Sequence, residues 1–106
     1  NPGQLRAQIE SNLVWSIGMA LLERFEVADN NIQSSNFDNY LIPRMQDMPS
    51  FDIEIIDQPG IPPAGAGEVA LVAGPPAIAN AIRNASGFRA VKLPIAFSDI
   101  TSGFKA

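Results

Sequence analysis

Near the start of the chain an aliphatic side chain returns at every fourth position, at Leu5, Ile9, Leu13, Ile17 and Leu21. That recurrence suits a helix and no strand, so the spacing predicts one amphipathic helix from Leu5 to about Phe25, with Val14 and Ala20 widening its apolar stripe. Asn1 and Pro2 fit the cap and first turn of such a helix. Gly18 inside it costs roughly 1 kcal/mol relative to alanine, which implies a close neighbour at that point. Gln8, Asn12 and Ser16 form a polar line at i, i+4 and i+8 on the same helix, either a solvated face or one that meets a polar ligand. Trp15 reads as packing or an interface contact.

Beyond this helix, ERFEVADNNIQSSNF predicts two short strands around Asp29-Asn30-Asn31, residues that tolerate the positive φ of a tight hairpin turn. Phe51 to Asp57 alternates apolar and polar side chains and predicts a further strand. Pro75 and Pro76 open a second helix, in which Ile78 and Ile82 lie one turn apart and Gly87 supplies the stop. Phe88 to Ile95 reads as a last strand, and residues 96–106 as a poorly defined tail. The expected order is helix, hairpin, strand, helix, strand: an α+β fold, with two helices packed on a small mixed or antiparallel sheet. A chain of 106 residues is long enough for one domain, 1–106, and too short for two. It begins at Asn1 rather than methionine, and a fragment of a larger protein is expected.

Composition narrows the chemistry. The net charge is −4, and the seven basic residues are scattered, so there is no basic stripe for nucleic acid or an anionic membrane surface. The longest apolar run, LVWSIGMALL, is half of the ~20 residues a membrane span needs. With no cysteine and no histidine, the chain itself offers no disulfide, thiolate nucleophile, Ser-His-Asp triad or common zinc site. Chemistry must rest on carboxylates, amides, hydroxyls or a cofactor.

The candidate carboxylate is Glu68, in PPAGAGEVAL. Small residues precede it, and glycine at 65 and 67 admits tight or left-handed turns as well as close approach of a ligand. A general base must come within roughly 2.6–3.2 Å of the proton it removes, which such a loop allows. The alternative is an exposed loop acid, or one placed near the positive end of the following helix. GAGE lacks the third glycine of a dinucleotide fingerprint. Asp52 and Glu54 share one face of the expected strand, a wet one by its alternation.

Three stretches taken in order, NPGQLRAQIESNLVWSIGMALLE, SSNFDNYLIPRMQDMP and PPAGAGEVALVAGPPAIANAIRNASGFRAVKLPI, resemble the C-terminal portion of the molybdopterin-binding large subunit of the xanthine oxidase and aldehyde oxidase family. The isoquinoline 1-oxidoreductase beta-subunit type is the nearest in look, and the similarity covers roughly residues 1 to 95. The resemblance implies a molybdenum hydroxylase that oxidises an aldehyde or an N-heteroaromatic carbon with water as oxygen source. It places the catalytic base at Glu68, a cofactor-bonding amide at Gln8, and cofactor-lining backbone at Gly65, Ala66 and Gly67. It also implies molybdopterin as cofactor, the remainder of the large subunit and an iron–sulfur subunit as partners, and an isolated fragment that is inactive. The family commonly has glycine where Asn12 and Ser16 stand, and proline where Val69 stands. Those departures imply altered helix packing and a looser loop, and they support an alternative: a stand-alone, non-catalytic binding or assembly module of the same fold.

Overall fold

The computed structural model describes residues 1–102 of the chain. Its first element is the expected helix, α1 (Pro2–Ile17), which continues through one wide π turn, Gly18–Leu22. Asn1 caps α1: its Oδ1 accepts a hydrogen bond from the Gln4 amide at 3.2 Å, and Pro2 occupies the first turn, where a missing N–H costs nothing. The wide turn is closed by Glu23 N–H donating to Gly18 O at 2.8 Å. Helical structure therefore stops at Leu22, three residues short of the expected Phe25. A β-carbon at Gly18 would lie 2.9 Å from Pro43 Cγ and overlap the Glu23 carboxylate, the close neighbour the glycine implied.

The hairpin is short. β1 (Val27–Ala28) pairs antiparallel with β2 (Asn31–Ile32) across a two-residue turn, in which Asp29 and Asn30 take φ of 51° and 60°. Positive φ at both central residues gives the twist that suits an antiparallel pair, and Asp and Asn tolerate it better than most residues. A single 3₁₀ turn follows at Met45–Asp47. α2 (Gly74–Ser86) starts with Pro75 and Pro76 in its first turn and ends at Gly87, whose φ of 77° is the left-handed stop the sequence implied. α3 (Phe97–Ser102) lies in the stretch read as a tail.

The fold is α+β, with helices and one antiparallel hairpin, and the two single strands are corrected. Neither Phe51–Asp57 nor Phe88–Ile95 enters a ladder; among the described residues the sheet is β1 and β2 alone. Alternation marks a segment suited to a sheet, but a strand exists only where another strand pairs with it. Each segment is instead tied to α1 or its wide turn by a hydrogen bond. Arg6 Nη2 donates to Ile53 O at 2.6 Å, and Ile95 N–H donates at 2.7 Å to Ala20 O, one of the carbonyls left over at a helix end.

α1 and its wide turn pack against α2. The closest approach is Ser16 against Gly74, where a β-carbon on residue 74 would overlap the serine side chain. Among the described residues Ala20 and Ile95 are the buried apolar side chains, and Gly18, Gly74 and Pro75 are buried with them. The core is small for the chain. Its accessible surface is 8177 Å², against about 5,700 Å² for a compact monomer of this size. Its radius of gyration is 17.0 Å, against about 13 Å. Trp15, Phe25, Phe37, Val27 and Ile32 are all exposed. The apolar surface that would normally close a domain faces outward here.

Candidate functional site

The polar line on α1 is the part of the helix that the loop before α2 covers. Asn12 is 3% exposed and Ser16 1%, whereas Leu5, Ile9, Leu13 and Ile17 are only half-buried and Leu21 is exposed. What lies opposite this line is backbone. Asn12 Nδ2 donates to Gly67 O at 2.8 Å and to Gln8 O at 2.8 Å, while its Oδ1 accepts from the Ala70 and Leu71 amides, both at 3.1 Å. All four hydrogen-bonding positions of the amide are used, which is why this side chain can be buried without a desolvation penalty. Ser16 Oγ donates to Asn12 O at 2.8 Å and lies 3.4 Å from Leu71 O.

These bonds shape the loop that carries Glu68. Gly67 is anchored just before the glutamate, and Ala70 and Leu71 just after it. A turn bond from Leu71 N–H to Glu68 O at 3.2 Å closes the arch between the anchors. Gln8 sits one turn before Asn12, and its Nε2 donates to Gly67 O at 3.4 Å. The structure thus brings Gln8 to Gly67, with Glu68 the next residue in the chain, although Gln8 and Gly67 are 59 positions apart. The Gln8 amide and the Glu68 side chain are both exposed, as are Gly65 and Gly67, while Ala66 is half-buried.

One expectation about the glycines changes. Among the described residues the left-handed glycines are Gly60, with φ of 94°, and Gly87; Gly65 and Gly67 are not among them. A β-carbon at either 65 or 67 would meet no atom of this chain within 4 Å. Neither backbone strain nor the chain's own packing calls for glycine at these positions. What the glycines supply is open space where side chains would stand at 65 and 67, beside an exposed carboxylate and an exposed amide. That space admits a close-approaching group, and the exposed Gln8 amide carries both a donor and an acceptor.

Asn12 and Ser16 are the site residues whose role the sequence left open. The signal was there in two parts: polar side chains at helical spacing, and a glycine at the far end of the loop, Gly74, where α1 and α2 touch. Neither part alone tells a buried polar face from a solvated one.

Residues 1–49 match the family model of a molybdopterin cofactor-binding domain. The chain is 35% identical over 95 residues, 90% of its length, to one of the subunits of nicotinate dehydrogenase from Pseudomonas putida, of which it covers 8%. It is 32% identical over 94 residues, 89% of its length, to the beta subunit of isoquinoline 1-oxidoreductase from Brevundimonas diminuta, of which it covers 12%. Its fold superposes on the crystal structure of quinoline 2-oxidoreductase from Pseudomonas putida 86 with a TM-score of 0.83 and 26% identity, over 96% of this chain and 14% of that one. The chain therefore spans a small part of the length of the proteins it matches. The helix with Gln8 and the loop with Glu68 both lie within that shared length, and the chain belongs to the molybdopterin-binding xanthine oxidase and aldehyde oxidase family.

Proposed function

We propose that residues 1–106 are one domain-sized segment of the large subunit of a molybdenum hydroxylase, and that Glu68 is its general base. The reaction class is oxidation of an aldehyde or N-heteroaromatic carbon with water as oxygen source. Relatives named for nicotinate and isoquinoline support the second substrate type. The observation that carries the reading is the Glu68 arch: an exposed glutamate, held on both flanks, next to the open space at Gly65 and Gly67 and the Gln8 amide.

The molybdenum cofactor, when bound, supplies the two-electron oxidising centre. The chain's own residues do three things. Gln8 presents its amide to the cofactor, and the backbone of Gly65, Ala66 and Gly67 lets it approach. Glu68 holds a carboxylate oxygen ready to take the proton from the attacking oxygen, a role for which it must be ionised. This chain has no cysteine to ligate an iron–sulfur cluster, and by the family resemblance electrons leave through an iron–sulfur subunit. The large exposed apolar surface is covered by the remainder of the large subunit, and the isolated chain is inactive. Asn12 and Ser16, two of the three departures behind the alternative of a non-catalytic module, hold the loop that carries Glu68, and the third, Val69, lies on it.

The test is Glu68→Gln in the full-length, cofactor-loaded enzyme. Loss of a general base lowers turnover on the order of 10²–10⁴-fold with molybdenum content unchanged. Turnover within a few-fold of the parent would refute the assignment.

A further inference from the structure

We infer that Asn12 is a positioning residue for the Glu68 carboxylate. The inference rests on the reading of Glu68 as the base and concerns what holds it. A single side chain grips the loop on both sides of Glu68, at Gly67 O on one side and at the Ala70 and Leu71 amides on the other. The two-residue arch of Glu68 and Val69 spans these anchors, so its ends cannot move independently.

The grip is rigid at its base. Asn12 lies in the middle of α1, and its Nδ2 also donates to Gln8 O one turn earlier, so rotation of the amide breaks bonds at both ends. The chemistry also fixes which way the amide faces, since its NH₂ meets two carbonyls and its oxygen meets two N–H groups. Gln8 backs up only the first anchor, by donating to Gly67 O. Leu71 N–H shares its bond with Glu68 O, whereas Ala70 N–H has Asn12 as its one partner among the described residues. Alanine or glycine at position 12 therefore leaves the C-terminal side of the arch with the Leu71 turn bond and the 3.4 Å contact of Ser16 Oγ with Leu71 O, and the N-terminal side with the Gln8 contact. A displacement of about 1 Å in a catalytic group costs up to about 10²-fold in rate, so the expected effect falls on kcat.

The experiment is a double-mutant cycle of Asn12→Ala and Glu68→Gln in the full-length holoenzyme, with kcat, KM, molybdenum content and amide exchange of residues 66–73 read for each form. Asn12→Ala is expected to lower kcat roughly 10–100-fold, with KM within about threefold and molybdenum unchanged, and to speed exchange in the loop. In the Glu68→Gln background it is expected to leave the residual rate unchanged, because a residue acting through the base has nothing further to lose. A kcat within about twofold of the parent, or the same fold loss in both backgrounds, overturns the inference. If Glu68→Gln itself retains turnover, the base assignment fails and this inference falls with it, a result distinct from either of those. If Asn12→Ala yields no holoenzyme, Asn12→Asp enters the same cycle. It keeps an acceptor for the two amides but sets a carboxylate oxygen against the Gly67 and Gln8 carbonyls, and the same outcomes decide.

Discussion

Placing a methyl group on residue 74 puts the contact between α1 and α2 to a direct test. The new β-carbon would overlap Ser16 Cβ and Oγ and lie 3.6 Å from Ser16 Cα, so the two helices must part by roughly an ångström to restore ordinary contact. Parting them stretches the bonds that cross between α1 and the loop, of which Asn12 to the Ala70 and Leu71 amides, both 3.1 Å, lie close to residue 74 along the chain. Over-packing costs about 2 kcal/mol, and two weakened hydrogen bonds about 1 kcal/mol each. Against this, alanine in place of glycine at a helical position gains at most about 1 kcal/mol. The net loss is about 3 kcal/mol of local stability for Gly74→Ala. Hydrogen exchange of α1 and α2 amides in the full-length subunit reads that loss as roughly a hundredfold faster opening. Adding Ser16→Gly removes the obstacle, and the double variant is expected to recover much of the protection. Unchanged or slower exchange in Gly74→Ala alone would show that the helix contact is not the tight one described.

Other perturbations read other parts of the fold. Arg6→Ala removes the bond to Ile53 O, and because the pair is exposed the cost is at most about 1 kcal/mol; limited proteolysis is expected to cut faster within residues 51–57 while turnover stays near the parent's. Tyr40 donates its hydroxyl proton to Glu23 Oε2 at 3.0 Å, and that bond, helped by partial desolvation and the carboxylate's charge, raises the phenol's pKa above its ordinary value. The proton is held more tightly in the folded state, so this pair's contribution is present below the ordinary tyrosine pKa and is lost as pH rises through the raised one. A Tyr40→Phe difference spectrum is expected to show this phenol ionising late, and Glu23→Gln to bring it earlier; no difference between the two backgrounds would rule out the pair.

What could be read from the residues was whatever depends on near neighbours. The Asn1 cap, the Asp29-Asn30 turn and the Gly87 stop each follow from local backbone chemistry, and each stands in the structure. That Gln8 and the small-residue loop meet follows from no local rule; the resemblance, carried by three motifs in one order, set them together, and the structure brings Gln8 to Gly67. Where the expectations failed, the deciding partner lay far along the chain. Phe51–Asp57 and Phe88–Ile95 have the alternation of strands, yet no ladder forms without a second strand. The polar face of α1 is buried because a loop some 55 residues away presents its carbonyls and amides to it, and helical spacing carries no information about that loop.

The wide turn at Gly18–Leu22 has a consequence for how chains of this kind vary in length. A π turn holds one residue more than an α turn covering the same rise. It lies after Asn12 and Ser16, which face the loop, and before Glu23, which receives Tyr40. Deleting the exposed Met19, which keeps the buried Ala20 and its bond to the Ile95 amide in the chain, is expected to let this turn tighten to α geometry without shifting the register on either side. An insertion or loss at this point is absorbed where it occurs, and a chain one residue shorter there would carry Gln8, Asn12 and the Glu68 loop in the same places.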